Sequence, residues 1–340
     1  MATVERKRHI VEIQCQSAGE FIEVLNPLSG VFAYADGGEN YIYRGVSSEL
    51  FDLVPSAFRS ESVLLHAGEY RRAPLPQTLQ QCAAELATLR RFVDIAARQG
   101  VRLPEDSVTL RTELTRWDDL LSAGDVSSSC PPVWPPPSFY SLIALAQHYQ
   151  IPTRALDWTS SALTAAYFAA VAANPATGDR MAVWVFSRMT ERFDRFLARR
   201  DRTTHSPARP LILFTTSGAD NDNLRAQRGL FMMYAQVLTS AVEDFAPRKY
   251  DELLLSSLPA VSDAAIVYKI VAHVREAPTV LAVLASAGVT AGMLFPGLWG
   301  AAREFHEEKA IAHVSNFLPK TGEAKRIADL LVEWNIPPGG

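Results

Sequence analysis

The opening stretch HIVEIQCQ alternates apolar and polar residues, the period of a half-buried strand, and AGEFIEVLNPL then reads as a short amphipathic helix ended by Pro27. NYIYRGV follows as a second β-run, with Tyr41 and Tyr43 on one face, Ile42 and Arg44 on the other, and Gly45 at its end. From about residue 68 to 123 the period lengthens to that of a helix. Leu79, Cys82, Ala83, Leu86, Leu89, Phe92, Val93 and Ala96 fall on one stripe, and Gly100 supplies a C-cap. Five prolines between positions 131 and 137 make SSSCPPVWPPPSF a loop or internal linker. Two further helices, SFYSLIALAQHYQ and SALTAAYFAAVAAN, flank IPTRALDWTS, which reads as the connection between them. Four apolar, β-branched runs predict strands: MAVWVFS, PLILFTTS, GLFMMYAQV and AAIVYKIVAHV. TVLAVLASAGV, with Gly288 as its C-cap, and AAREFHEEKAIAHVSNFL predict late helices. Strands and helices mix without regular βαβ alternation and without an internal repeat, so the expected fold class is α+β.

The chain has 340 residues, of which 48% are apolar and 21% charged, as expected of a folded body with a sizeable core. A formal net charge of −4 removes any global positive field toward nucleic acid or anionic membranes, although a local basic groove stays open. Three cysteines, Cys15, Cys82 and Cys130, lie far apart without CxxC spacing, which argues against a disulfide framework or a zinc site. The seven histidines form no HxH or HxxxH pair, so the expectation is no metal. The N-terminus lacks the apolar stretch of a signal peptide, and no run reaches the roughly 18 to 20 apolar residues of a membrane span. A cytoplasmic protein without a membrane partner is the expectation.

The candidate chemistry sits in three places. Arg44, at a strand end beside Gly45, suits a phosphate or carboxylate grip in which the glycine lets a ligand approach the backbone, or else an edge salt bridge. In QHYQIPTRALDWTSSALTAAYFA, Asp157, Thr159, Ser160 and Ser161 precede a helix, where they serve as caps or as one wall of an anion site. His148 is a ligand contact or a core histidine, and Arg154 and Asp157 contact a ligand or pair with each other. Trp158, Tyr167 and Phe168 offer stacking faces or core. Finally, NLRAQRGLFMMY places Gln227 before a strand opened by Gly229, in reach of a sugar hydroxyl or as part of a hairpin turn.

Taken in order, YIYRGVSSELFDLVPSAFR, LIALAQHYQIPTRALDWTSSALTAAYFA, RAQRGLF and GVTAGMLFPGLWGAA resemble the FRG domain, over roughly residues 20 to 305. Tyr43 stands where the Phe of the Phe-Arg-Gly motif is expected. That family is associated with toxin and anti-phage defence settings. A looser resemblance is to the Arg-Ser-Glu class of ADP-ribosyltransferases, through Tyr43-Arg44-Gly45 and Thr159-Ser160-Ser161 followed by Ala165 and Phe168. This second resemblance implies an ADP-ribosyltransferase-like mixed or antiparallel sheet with flanking helices, with NAD as substrate and transfer to a protein or nucleic-acid acceptor.

Carried over, Tyr43, Arg44 and Gly45 bind NAD with Arg154, Trp158, Thr159, Ser160, Ser161 and Tyr167, while Arg44, His148, Asp157 and Gln227 serve catalysis. Gln227 stands where that class has a catalytic glutamate, so either Asp157 or a distant acid such as Glu243 takes its place, or the site binds without turnover. The alternative function is a non-catalytic nucleotide- or protein-binding module in a defence or toxin–antitoxin system, with an antitoxin or defence partner. The expected organisation is an N-terminal extension over 1–19, the domain over 20–305 with a helical insertion at about 60–130, and a helical tail over 306–340.

Overall fold

A computed structural model describes residues 2–7, 10–26, 41–59, 77–103, 106–124, 132–188, 211–216, 222–238, 249–256 and 267–315. The strands are β1 (Thr3–Lys7), β2 (Ile10–Cys15), β3 (Tyr41–Val46), β4 (Val133–Trp134), β5 (Ala155–Thr159), β6 (Arg180–Ser187), β7 (Leu211–Phe214), β8 (Gly229–Tyr234), β9 (Gln236–Val237) and β10 (Val267–His273). The helices are α1 (Ala18–Leu25), α2 (Gln77–Arg98), α3 (Val108–Ala123), α4 (Tyr140–His148), α5 (Ala162–Val171), α6 (Asp222–Ala226), α7 (Tyr250–Ser256), α8 (Ala277–Ser286), α9 (Ala291–Leu294) and α10 (Leu298–Ser315). The fold is α+β. Its eight-stranded sheet runs β1-β2-β10-β6-β3-β5-β8-β7, antiparallel throughout except for the β2/β10 pair.

The sheet is continuous but unevenly sewn. β3 pairs with β6 along six residues, yet with β5 only at Tyr43 opposite Thr159. Continuing that register would set Gly45 opposite Asp157; instead the Arg44 guanidinium crosses to Asp157, Nη1 donating to its main-chain oxygen at 2.6 Å. On one side of this junction α1, α5 and α8 bury Phe21, Leu25, Tyr43, Ala165, Ala169 and Leu284 against β2, β3, β6 and β10. On the other, α2, α3 and α4 bury Leu86, Trp117, Trp134 and Ile143 with Ala155, Phe231 and Met233 of β5 and β8. A third cluster, with Ile42, Trp158, Trp184 and Met232, fills the opposite sheet face.

Two expectations are corrected. IPTRALDWTS is not a plain helix-to-helix connection: residues 155–159 are a strand inside the sheet, its apolar Ala155, Leu156 and Trp158 buried and Asp157 exposed. Short strands of this kind carry too little period to be told from a turn between helices. The proline-rich stretch likewise holds more order than a linker, with Val133–Trp134 paired to β9 and a 3-10 turn at Pro137–Phe139.

The helices α2 and α3, read as an insertion, share their core with α4, β5 and β8. The tie is a buried ion pair. Arg154, just ahead of β5, donates from Nε to Glu85 Oε2 at 2.6 Å and from Nη2 to Glu85 Oε1 at 2.9 Å. Trp134 Nε1 donates to the same carboxylate at 3.0 Å, and Tyr250 Oη donates to the Arg154 carbonyl at 2.6 Å. Burial alone would lower the Arg154 guanidinium, but the attraction and hydrogen bonds of Glu85 outweigh it and leave it raised.

Candidate functional site

A cleft of about 1460 Å³ opens over the β3/β5 junction. Its lining brings together Tyr43, Arg44, Gly45, His148, Asp157, Trp158, Thr159 and Gln227, eight of the twelve residues expected from the sequence. Arg154, Ser160, Ser161 and Tyr167 do not reach it.

Each absence has a physical reason. Arg154 is consumed by Glu85, so it neither pairs with Asp157 nor faces a ligand. Ser161 caps α5, its Oγ accepting from Thr164 N at 3.2 Å, while Ser160 is exposed and its N–H donates to Arg228 O. Tyr167 is buried in the core and donates from its hydroxyl to Glu307 at 2.7 Å, so it is no stacking face.

Gly45, which lines the cleft, also has a packing role. A Cβ there would lie 2.0 Å from Ala165 O and 2.6 Å from Ala169 N. The glycine therefore admits the backbone of α5, which lies directly across β3. Thr159, the last residue of β5, donates from Oγ1 to Gln227 O at 2.7 Å and accepts from Ser161 N at 2.9 Å. Its hydroxyl joins three chain segments before any ligand is considered. Gln227 in turn donates from Nε2 to Leu294 O at 3.1 Å.

Asp157 is an exposed carboxylate of the cleft, as is Asp52, which pairs with Lys249. Arg44 Nη1 lies 3.8 Å from Asp157 Oδ2, with the Asp157 side chain 55% exposed and that of Arg44 17%. Gln147 Nε2 donates to the same oxygen at 2.7 Å, and Gln147 Oε1 accepts from Thr153 Oγ1 at 2.7 Å, so the orientation of the amide is fixed. Burial lowers the Arg44 guanidinium, with Asp157 opposing that shift and the like charge of Arg59 adding to it. His148, at the end of α4, is exposed on the cleft rather than buried in the core, against Tyr149.

Several lining residues escaped the sequence reading. Gln147 lay inside the recognised motif, and its position just before His148 at a helix end was the available signal. Arg59, Phe295, Trp299 and Arg303 come from parts of the chain where only the fold brings them near Arg44. The Arg303 guanidinium lies 5.0 Å from the Phe295 ring centre and 5.3 Å from that of Trp299, and its Nε donates to Glu307 at 2.9 Å. Glu243 lies outside the described residues. Among the described residues no group of three His, Cys, Asp or Glu side chains could hold a metal ion, and no helix is long and apolar enough to cross a membrane.

In comparison with known protein families, residues 39–178 match the FRG domain. That span includes β3, α4, β5 and α5, hence Arg44, Gln147, His148, Asp157 and Thr159, and stops before Gln227 and Trp299. No curated protein and no solved structure matches the chain.

Proposed function

We propose that this chain, an FRG domain-containing protein, binds NAD in the cleft over the β3/β5 junction and transfers ADP-ribose to a macromolecule. One observation carries the reading: Arg44 and the exposed carboxylate of Asp157 stand side by side on neighbouring strands at the cleft. An arginine there suits the phosphates of a nucleotide. Breaking the C1′–N bond sends its electron pair to the departing neutral nicotinamide and builds positive charge on the ribose, which a carboxylate stabilises. The acceptor nucleophile then bonds to C1′, and its proton passes to Asp157 or water. Asp157 thus takes the place of the acid missing at Gln227. The cleft volume exceeds the ~300–1000 Å³ of ordinary ligand pockets, leaving room for an acceptor group beside the dinucleotide. A toxin or anti-phage role, with an antitoxin as partner, rests on the family resemblance alone.

A second reading, a nucleotide-binding module without turnover, is favoured by the engagement of Arg44 with Asp157 and of Gln227 with Leu294. The deciding experiment incubates the full chain with NAD labelled in its adenylate part, offers protein, DNA and RNA acceptors, and measures nicotinamide release. The expected result is weakened NAD binding in Arg44→Ala, and in Asp157→Asn retained binding with release reduced ~100-fold or more. Full release by Asp157→Asn overturns the catalytic assignment. Binding by the wild type without any release selects the second reading.

A further inference from the structure

Arg44 is not the only guanidinium at this point of the cleft. Arg59 lines the same cavity, and its like charge adds to the lowering of the Arg44 guanidinium. Arg59 is held from below. The 3-10 turn Ser56–Phe58 that presents it is stapled to Thr153: Ala57 N donates to Thr153 O at 2.9 Å, and Thr153 N donates to Ser56 Oγ at 3.0 Å. Thr153 is also the residue that fixes Gln147, and through it Asp157. Arg59 Nε donates to Val54 O at 3.1 Å, and among the described residues that is the one acceptor its side chain meets, so none of those residues takes its two terminal nitrogens.

The other charges nearby are already matched. Lys249 meets Asp52 at 2.8 Å, and Arg303 meets Glu307 at 2.9 Å. Among the described residues that line the cleft, the carboxylate left to face Arg44 and Arg59 once Asp52 is paired with Lys249 is Asp157, whose nearer oxygen is 3.8 Å from Arg44 and already accepts from Gln147. Two cations and one anion leave an excess positive charge facing a cleft, a repulsive arrangement that an anionic ligand relieves.

We propose that Arg59 and Arg44 together form a diphosphate subsite, each guanidinium taking one phosphoryl group, so that the cleft selects ligands carrying a pyrophosphate over those carrying a single phosphate. The subsite rests on the reading of the cleft as a nucleotide site, but it does not require turnover. Two planar forks carried by separate, mutually braced segments suit two adjacent tetrahedral groups, whereas one phosphate leaves one fork unmatched.

The test is calorimetric titration of the full chain with inorganic pyrophosphate and, separately, with orthophosphate, repeated for Arg59→Ala, Arg59→Lys and Arg44→Ala, with thermal melts to establish that each variant is folded. Pyrophosphate should bind the wild type more tightly than orthophosphate, with affinity falling as salt rises. Arg59→Ala should weaken pyrophosphate about 10- to 100-fold while changing orthophosphate little. Arg59→Lys keeps the charge and loses the fork, and should recover only part of the loss. Equal affinity for the two anions, or an Arg59→Ala variant that binds pyrophosphate like the wild type, overturns the subsite. Pyrophosphate binding without nicotinamide release from NAD removes the transferase reading and leaves the subsite standing.

Discussion

Replacing Gly45 by alanine separates two explanations of the same motif glycine. If the glycine served ligand approach, Gly45→Ala would fold normally and lose binding alone. The structure instead points to the helix behind it. The added methyl would sit 2.0 Å from Ala165 O, 2.6 Å from Ala169 N and 3.1 Å from Ala165 C, all backbone atoms that cannot rotate away. Helix α5 is in turn buried among Phe21, Leu25, Val280 and Leu284, so it cannot retreat without displacing the core. Overpacking of this kind ordinarily costs ~1–3 kcal/mol when side chains share the adjustment, and with only backbone to yield the cost here should be about 3 kcal/mol or more. That is a large part of the ~5–15 kcal/mol that holds a typical domain together. Urea unfolding followed by circular dichroism would show a clearly lowered midpoint, or no cooperative transition. A midpoint equal to that of the wild type would refute the packing argument.

Other perturbations test the supports of the cleft. Glu85→Ala or Arg154→Ala should each cost ~3–5 kcal/mol by stranding a buried charge, whereas the double change Glu85→Leu with Arg154→Met should cost far less, as read by the same unfolding curves. Burial pushes the Cys15 and Cys82 thiols up to about 12, so both should resist alkylation at pH 8 in the folded protein and react once it is unfolded, as peptide mass spectrometry would show. Burial likewise raises the Asp251 carboxyl. The folded state then holds its proton to higher pH than the unfolded one, and stability is lost as pH rises from the ordinary carboxylate value through the raised one. Asp251→Asn should therefore stabilise the protein at neutral pH and confer no gain near pH 3, measured as melting temperatures across that range.

How legible these features were depended on how local their causes are. The long stripe of Leu79 to Ala96 is a helix because its period repeats over many turns, and MAVWVFS is a buried strand because nearly every position is apolar. β5 was hidden because five residues in Ala155–Thr159 can be read as a turn between two strong helices; its pairing with β8 decides the matter, and those partners lie 70 to 78 residues away in sequence. Arg44 and Asp157 were legible as candidates from their residue types, and the cleft does contain both. The fate of Arg154 was not legible, since nothing near it in sequence announces Glu85 on a distant helix. Two arginines in familiar motifs thus divide into one that faces the cleft and one that holds the core. Arg59 escaped for the converse reason: it lies within one of the family-like stretches, but only the 3-10 turn braced on Thr153 carries it to the cleft that Arg44 also lines.

The single Tyr43–Thr159 bridge makes the sheet a pair of plates, β1-β2-β10-β6-β3 and β5-β8-β7, meeting along a seam. Few ladder bonds cross that seam. The chain itself supplies the rivet: residues 155–171 form β5 on one plate, turn through Thr159–Ser161, and lay α5 over β3 on the other, pressed home at Gly45. A ligand gripped by Arg44 and Arg59 would rest on both plates at once, since Arg44 belongs to β3 and Arg59 is braced on the residue leading into β5. Occupancy would then tighten the molecule along its least sewn line, and amide exchange at Tyr43 and Thr159 should slow before that of any strand interior.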